Sequence, residues 1–349
     1  MNVSVKKRST LEDVAEVAQV SRATVSRVVR EVPGVDQEIV RRVRSAISKT
    51  GYRANFAARA LAGGKTQNVA IIFQENFGDL FMNGFWGQVL EGIHSVLEAS
   101  DLQMTFLINN GEHGKNLPQY LLNNHVDGAI FLGTSKNDQL PILLKRNDIP
   151  VVTHGEPYRG SQVSRVIKDE SAIGEIAANV LLDSKCKVIG AISGSDEIAS
   201  SQARIDGFTQ GLKARGYSLS TKAIESGNFT HRGGYQAVEV LLKRQPNLDG
   251  IFIASDMMAV GALENLHRLK KRIPEDISVV SCDNSPAGEF TNPKLTTIHC
   301  NPFEEGASSA RLLRDLMDGG PVRSLVFPPE LKVRESTKPM KITQIEGRG

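Results

Sequence analysis

Two arginines and three hydroxyl residues lie within one short segment near the N-terminus, SRATVSR. The guanidinium group of Arg27 can donate two hydrogen bonds to the acceptor atoms of a guanine, which is a contact that reads sequence. The hydroxyls of Ser21, Thr24 and Ser26 suit phosphate oxygens, which position a protein on DNA without reading its sequence. The segment predicts a DNA contact. The alternative is a protein-interaction module whose arginines are merely solvated.

A second group of polar and aromatic residues follows apolar runs in the body of the chain. An aromatic ring can stack on a sugar ring, an arginine can bind vicinal hydroxyls or a carboxylate, and short acids and amides suit hydroxyl groups. Each also has a structural alternative: an aromatic can cap a core, an arginine can form a surface salt bridge, and an acid or amide can cap a helix or form a turn. The residues are Phe85 and Trp86, Arg204, Ser255 and Asp256, and Asp283 and Asn284.

No arrangement of residues typical of an enzyme accompanies these two groups. The chain has no phosphate-binding P-loop, no GxGxxG between a strand and a helix, and no nucleophile elbow. Cys186, Cys282 and Cys300 are far apart, and the seven histidines lack metal-ligand spacing. The sequence therefore predicts a protein that is not an enzyme and uses no cofactor or metal. The odd number of cysteines favours a reducing cytoplasm.

Three short helices are predicted around the first group. Thr10 can cap a helix with apolar positions at 11, 14, 15 and 18, and Ser21 can cap a second helix from Arg22 to Arg30. Two helices joined in this way form a helix-turn-helix, whose second helix presents its first residues, here Arg22 and Ala23, to the major groove. A third helix begins after Asp36 and ends near Gly51.

The body of the chain alternates short apolar runs with helical stretches, which is typical of βαβ units and parallel sheets. We expect two doubly wound lobes, with the chain passing between them near 147–168 and a ligand beyond the carboxyl ends of the strands. The seven predicted strands are 69–73, 104–108, 128–132, 151–153, 188–192, 250–254 and 278–281.

Charge is distributed unevenly between the predicted headpiece and the body. Residues 1–65 carry 13 Lys or Arg against six Asp or Glu, a net charge of +7, whereas the remainder is at −4. A basic N-terminal segment on a mildly acidic protein is typical of a domain that binds a polyanion such as DNA. The alternative is an ordinary basic face that is only solvated. The N-terminus lacks the apolar run of a signal peptide, and no apolar stretch approaches 18 residues, so we expect neither secretion nor membrane contact.

The segments TLEDVAEVAQVSRATVSRVV and PGVDQEIVRRVRSAISKTGYRANFAARAL resemble the headpiece and hinge of the lactose-repressor (LacI/GalR) family over residues 9–65. The resemblance implies that Arg22 and Ala23 choose the operator and that Arg27 contacts a base. It also implies a hinge helix at 55–62 that orders on DNA, where Leu61 would wedge between base steps of the minor groove; packing of Leu61 beneath the core is the alternative. The predicted DNA contacts are Thr10, Ser21, Arg22, Ala23, Thr24, Ser26, Arg27, Asn55, Ala58 and Leu61.

The body is similar to the periplasmic-binding-protein-like core of the same family, from VAIIFQE through ARIDGF and FIASDMMAVGAL to PKLTTI. By position, the resemblance implies effector contacts at Phe85, Arg204, Phe229, Ser255, Asp256 and Asp283. This chain departs from the family at Thr153-His154-Gly155, where many members have an acid, so a hydroxyl acceptor is missing or replaced by His154. Cys300 stands where a glutamine is common, and the loop at 76–82 is long.

We therefore predict an α/β fold with an all-α headpiece, and a transcriptional regulator, a repressor, that binds a near-palindromic operator as a homodimer. Ligand in the cleft would reorient the lobes and move the paired hinges. The effector is expected to be a sugar, with a purine or nucleoside or a partner protein as the alternative, and an exported sugar-binding protein as the weaker one. Tetramerisation stays open. The predicted segments are 1–54 (headpiece), 55–67 (hinge), 68–340 (core) and 341–349 (a tail ending in IEGRG, either native or a protease site from cloning).

Overall fold

The computed structural model describes residues 9–29, 32–52, 65–74, 84–109, 116–135, 137–156 and 162–340. The predicted hinge contacts Asn55, Ala58 and Leu61, the long loop at 76–82 and the tail at 341–349 lie outside these residues. The chain divides into two compact units, Met1–Thr66 and Gln67–Gly349.

The described residues of the first unit form three helices, α1 (Leu11–Ala18), α2 (Arg22–Val29) and α3 (Gln37–Thr50). Their apolar faces form one small core of buried residues: Val14, Ala15, Ala18, Val25, Val28, Val43 and Ala46. The predicted caps are present. Thr10 and Asp13 form a reciprocal capping box on α1, and Asp36 accepts hydrogen bonds from two backbone amides of α3. Gly51, at a φ of 65°, ends α3.

The second unit alternates strands and helices, as the sequence predicts. Its strands are β1 (Asn68–Phe73), β2 (Gln103–Ile108), β3 (Gly128–Leu132), β4 (Val151–His154), β5 (Ser164–Lys168), β6 (Ile189–Ser193), β7 (Ile224–Ser226), β8 (Gly250–Ile253), β9 (Ser278–Cys282), β10 (Thr296–His299), β11 (Ser324–Phe327) and β12 (Glu330–Lys332). Its α-helices are α4 (Gly84–Glu98), α5 (Leu117–Leu122), α6 (Leu140–Arg146), α7 (Glu170–Asp183), α8 (Ala199–Ala214), α9 (His231–Arg244), α10 (Asp256–Arg268), α11 (Pro286–Glu289) and α12 (Pro302–Met317).

These strands form two six-stranded sheets, which define a first and a second lobe. The first sheet has the order β11-β5-β4-β3-β1-β2 and is parallel throughout. The second has the order β12-β10-β9-β8-β6-β7, in which β12 runs antiparallel to β10. Central strands such as β1, β3 and β8 are buried almost along their whole length, because helices cover both faces of each sheet.

The predicted fold class is confirmed, but the strand count was too low and the crossing point was misplaced. The stretch at 164–168 is a strand of the first sheet, so the chain first enters the second lobe after Lys168 rather than across the whole of 147–168. The chain then returns: α12 packs against α4 and β4, and β11 pairs with β5 before β12 joins the second sheet. Three connections therefore link the lobes. No helix of the described residues is long and apolar enough to cross a membrane.

Candidate functional site

The predicted recognition helix, α2, has one exposed face. Arg22, Ala23 and Arg27 are exposed, whereas Val25 and Val28 are buried in the headpiece core. The helical geometry therefore leaves available the three side chains that the sequence assigns to base contact. The Arg22 guanidinium lies 2.9 Å from the carboxylate of Glu12, and both side chains are well exposed, so solvent screens this pair and it adds little stability.

Several predicted phosphate contacts also have local structural roles. The Ser21 hydroxyl accepts a hydrogen bond from the Thr24 amide (3.1 Å) and bonds the Thr24 hydroxyl (2.8 Å), so Ser21 caps α2 as predicted. Thr10 caps α1, with its hydroxyl 3.3 Å from the Asp13 amide. Ser26 is half-buried. A hydroxyl that caps a helix still has a free lone pair, so these roles are compatible with a phosphate contact.

In the second unit, a cavity of about 690 Å³, counting the space at its mouth, lies between the two lobes. A single antiparallel bridge between Ser135 of the first lobe and Ile198 of the second joins the lobes beside it. The lining residues are Phe85, Trp86, Gly133, Thr134, His154, Gly155, Glu156, Val166, Ile167, Lys168, Glu170, Ile198, Ala199, Ser200, Arg204, Phe229 and Asp283.

A buried cluster of charges forms one wall of this cavity. Arg204 Nε lies 2.5 Å from Glu170 Oε2, and Arg204 Nη1 lies 3.8 Å from Asp283 Oδ1. Arg204 also donates to the backbone carbonyl of Ala254. Arg204 is 4% exposed, so its alternative role in a surface salt bridge is wrong. Arg204 lies in the second turn of α8, which begins at Ala199.

Lys168, at the end of β5, extends this cluster from the first lobe. Its Nζ lies 4.0 Å from Asp283 Oδ1 and 3.9 Å from the centre of the Phe85 ring. Burial raises the pKa of Asp283 above its ordinary value, while the positive charges of Lys168 and Arg204 oppose that rise. Lys168 and Arg204 already have carboxylate partners in Glu170 and Asp283. A ligand of this wall therefore needs no net charge of its own.

Aromatic rings form the facing part of the cavity. The rings of Phe85 and Trp86 meet edge-to-face with their centres 5.0 Å apart, and both residues are about 95% buried. The ring of His154 lies 6.0 Å from Phe85 and 5.7 Å from Trp86, centre to centre. Together these rings offer apolar area that suits the face of a sugar ring or of a base.

Phe229 reaches the cavity from the turn after β7, held by an unusual backbone. Phe229 and Asn228 both have positive φ angles, 57° and 51°. Its ring lies so close to Gly194 that any Cβ at that position would overlap it. Such backbone conformations are costly for residues other than glycine and are found preferentially at functional sites. Asp283, with a φ of 108°, and Asn284, at 52°, form a second strained turn at the end of β9.

Ser255 and Asp256, two of the six predicted effector contacts, do not line the cavity. Ser255 caps α10 by accepting a hydrogen bond from the Met258 amide (3.3 Å). Asp256 is fully buried and accepts hydrogen bonds from Thr297 Oγ1 (2.8 Å), from the Ser281 hydroxyl and from a backbone amide. Burial raises its pKa to about 7, with the nearby Asp283 adding to the rise. The structure thus brings Phe85, Arg204, Phe229 and Asp283 together and gives Ser255 and Asp256 roles within the second lobe.

Lys168, Glu170 and Glu305 are among the charged residues of this region that were not predicted from the sequence. Lys168 ends a strand that sequence patterning missed, and Glu170 follows it at the start of α7. Glu305 lies in the first turn of α12 beside Glu304, where acids are common for helix-dipole reasons, so nothing marked it as buried. Its carboxylate Oε2 lies 2.7 Å from Nε2 of His154. Among the residues that the structure describes, no group of histidines, cysteines and acids is arranged to hold a metal ion.

Comparisons with known proteins match both units. Residues 10–55 match the model of bacterial regulatory proteins of the lacI family, and residues 178–337 match a periplasmic binding protein-like domain. The HTH-type transcriptional regulator CelR of Thermobifida fusca is 34% identical over 339 residues, which are 95% of this chain and 99% of CelR.

Two solved structures extend the likeness to the fold. A CelR–cellobiose complex is 33% identical with a TM-score of 0.75, over 94% of this chain and 100% of that one. A lac repressor dimer, bound to operator and the anti-inducer ONPF, has a TM-score of 0.82 at 24% identity, over 95% of this chain and 100% of that one, and shows the shared fold.

Proposed function

The chain belongs to the LacI family of bacterial regulatory proteins and is a DNA-binding transcriptional regulator, not an enzyme; we propose that a sugar bound between its two lobes controls its affinity for operator DNA. One observation carries the proposal: the cavity has aromatic rings on one side and a cluster of paired, hydrogen-bonding charges on the other. Neutral polyols need this combination, because a sugar has apolar ring faces and hydroxyl edges.

The two lobes divide the proposed contacts. Phe85, Trp86 and Lys168 belong to the first lobe, whereas Arg204 and Asp283 belong to the second. A ligand that touches both sets stabilises one relative orientation of the lobes. Coupling between a ligand site and a DNA site of this kind is typically worth about 1–3 kcal/mol, and it is reciprocal.

The proposed DNA-binding unit is the headpiece, with Arg22, Ala23 and Arg27 as its base contacts and residues 55–67 as the hinge. A near-palindromic operator offers two equivalent half-sites, so we propose that two copies of the chain bind it as a homodimer and that binding represses transcription. The protein would act in the cytoplasm, where the DNA of a bacterium lies.

The experiment is a thermal-shift and calorimetric screen of the full-length protein. Cellobiose comes first, because it is the ligand in the related CelR complex, followed by maltose, glucose, ribose, glucose 6-phosphate, adenosine and hypoxanthine. At 100 times its dissociation constant a ligand adds about 2.7 kcal/mol to the free energy of unfolding, which raises the melting midpoint by several degrees. A response to purines alone would refute the sugar and favour the nucleoside alternative. A response to glucose 6-phosphate alone would mean that the charge cluster binds an anion.

A further inference from the structure

Glu305 is a buried carboxylate that the proposed sugar site does not yet use. The residue is completely buried on α12, in the first lobe, and Oε2 lies 2.7 Å from Nε2 of His154, which is 5% exposed. The other oxygen, Oε1, is buried without a hydrogen-bond partner among the described residues. Because a buried carboxylate oxygen without a hydrogen-bond partner is costly to folding, this arrangement points to a role in binding.

The short contact between Glu305 and His154 holds one proton between a carboxylate oxygen and a ring nitrogen. Burial by itself would lower the pKa of Lys168, but the neighbouring carboxylates, with Glu305 contributing most, hold that pKa above its ordinary value. An ionised carboxylate only accepts hydrogen bonds, and the proton in the short contact with His154 must therefore be carried by Nε2.

In a neutral histidine whose Nε2 carries the proton, Nδ1 is unprotonated and accepts a hydrogen bond, whereas in an imidazolium both nitrogens donate. His154 lines the cavity beside the rings of Phe85 and Trp86, and within the described residues Nδ1 has no hydrogen-bond partner. We propose that Glu305 is a positioning residue: it fixes His154 as the Nε2–H tautomer, so that Nδ1 accepts a hydrogen bond from one hydroxyl group of the sugar.

This inference rests on the proposed function and adds to it a specificity contact. The second lobe would bind the sugar through Arg204 and Asp283, and the first lobe would recognise one hydroxyl group through His154. The chemistry differs from that of a carboxylate in the same place. A neutral imidazole nitrogen accepts a single hydrogen bond in the plane of its ring, so it discriminates more strictly between hydroxyl positions.

The first part of the test needs no ligand. Long-range proton–nitrogen NMR of the full-length protein with ¹⁵N-labelled histidine reports which ring nitrogen is protonated, and His154→Asn identifies the signal of His154. We expect a protonated Nε2 and a bare Nδ1 at neutral pH, and a mixture of tautomers in Glu305→Leu. Glu305→Gln is the matched variant, because its carbonyl oxygen can still accept from Nε2. A wild-type ring protonated at Nδ1, or at both nitrogens, would overturn the assignment.

The second part measures affinity for the sugars of the screen, cellobiose first, and for the monodeoxy analogues of the one that binds. His154→Leu should weaken binding about tenfold, the equivalent of one hydrogen bond, whereas His154→Asn should stay within about threefold because its carbonyl oxygen lies near the place of Nδ1. One monodeoxy analogue should bind the wild-type protein about tenfold more weakly than the parent sugar does. The same analogue and the parent sugar should bind His154→Leu with equal affinity.

The outcomes separate this inference from the proposed function. If His154→Leu binds every sugar as tightly as the wild type, the hydroxyl contact is wrong while the sugar site stands. If no sugar binds the wild type, the proposed function fails and the hydroxyl contact fails with it, but the NMR measurement still decides whether Glu305 sets the tautomer of His154.

Discussion

Asp283→Asn tests whether the buried charge cluster binds the effector. The substitution keeps the size of the side chain and one acceptor oxygen, but it removes the negative charge. That charge lies 3.8 Å from Arg204 Nη1 and 4.0 Å from Lys168 Nζ, so at an effective dielectric constant of about 20 each attraction is worth about 4 kcal/mol. The desolvation that raises the pKa of Asp283 offsets much of this sum.

The effect on ligand affinity follows from the hydrogen bonds that the carboxylate would accept. A hydrogen bond to a charged group is worth about 1.5–3 kcal/mol, so Asp283→Asn should raise the dissociation constant of the sugar roughly 10- to 150-fold. The variant should also unfold more easily, because two buried cations lose their partner. Isothermal titration calorimetry of the full-length protein measures the first effect, and thermal unfolding without ligand measures the second.

Asp256→Asn is the matched control. Asp256 is another buried aspartate of the same lobe, but it does not line the cavity. Its substitution should change the stability and leave the dissociation constant within about threefold of the wild type. Equal losses of affinity in the two variants, or unchanged affinity in Asp283→Asn, would refute the assignment of the effector contact to Asp283.

Three further predictions concern stability and both binding sites. Asp256 has a pKa of about 7 in the folded chain and near 4 when unfolded, so the free energy of unfolding should fall by up to roughly 4 kcal/mol as pH rises from 4 to 7. Denaturant titrations should show a weaker dependence of this free energy on pH in Asp256→Asn. Arg27→Ala should cost about 1–3 kcal/mol of binding free energy at one base pair per half-site, whereas Arg41→Ala, which removes the same charge from α3, should change the affinity for all DNA sequences alike. Selection from a random operator pool distinguishes the two effects. A uniform loss of affinity in both variants would make Arg27 a phosphate contact. Gly194→Ala should displace the Phe229 ring and weaken sugar binding at least as much as Phe229→Leu, and calorimetry showing wild-type affinity would remove Phe229 from the site.

Local chemistry explains what the sequence predicts correctly. The caps at Thr10 and Asp36 and the left-handed Gly51 depend on neighbouring residues, so the headpiece helices could be predicted closely. Asp283 could be placed near a ligand because it directly follows β9 in a parallel sheet. These features need no knowledge of distant pairings.

The features that were missed depend on contacts between distant segments. The strand β11 is short and half-exposed, and it becomes part of the first sheet only by pairing with β5, about 160 positions earlier. The burial of Glu305 depends on α12 returning to the first lobe and meeting His154. Asp256 follows a strand end like Asp283, yet its carboxylate binds Ser281 and Thr297 inside the lobe. The order of apolar and polar residues in the sequence does not show whether such a side chain faces the cavity or the lobe interior.

The most direct test of the account is the affinity of the full-length protein for its operator with and without the sugar that binds in the screen. An operator selected from random DNA, labelled for fluorescence anisotropy, would be titrated at constant salt, since salt alone changes affinity strongly. We predict that saturating sugar changes the dissociation constant for operator by about 5- to 150-fold, and that saturating operator changes the dissociation constant for sugar by the same factor. A sugar that binds the protein but leaves operator affinity unchanged would contradict the claim that the cleft controls DNA binding.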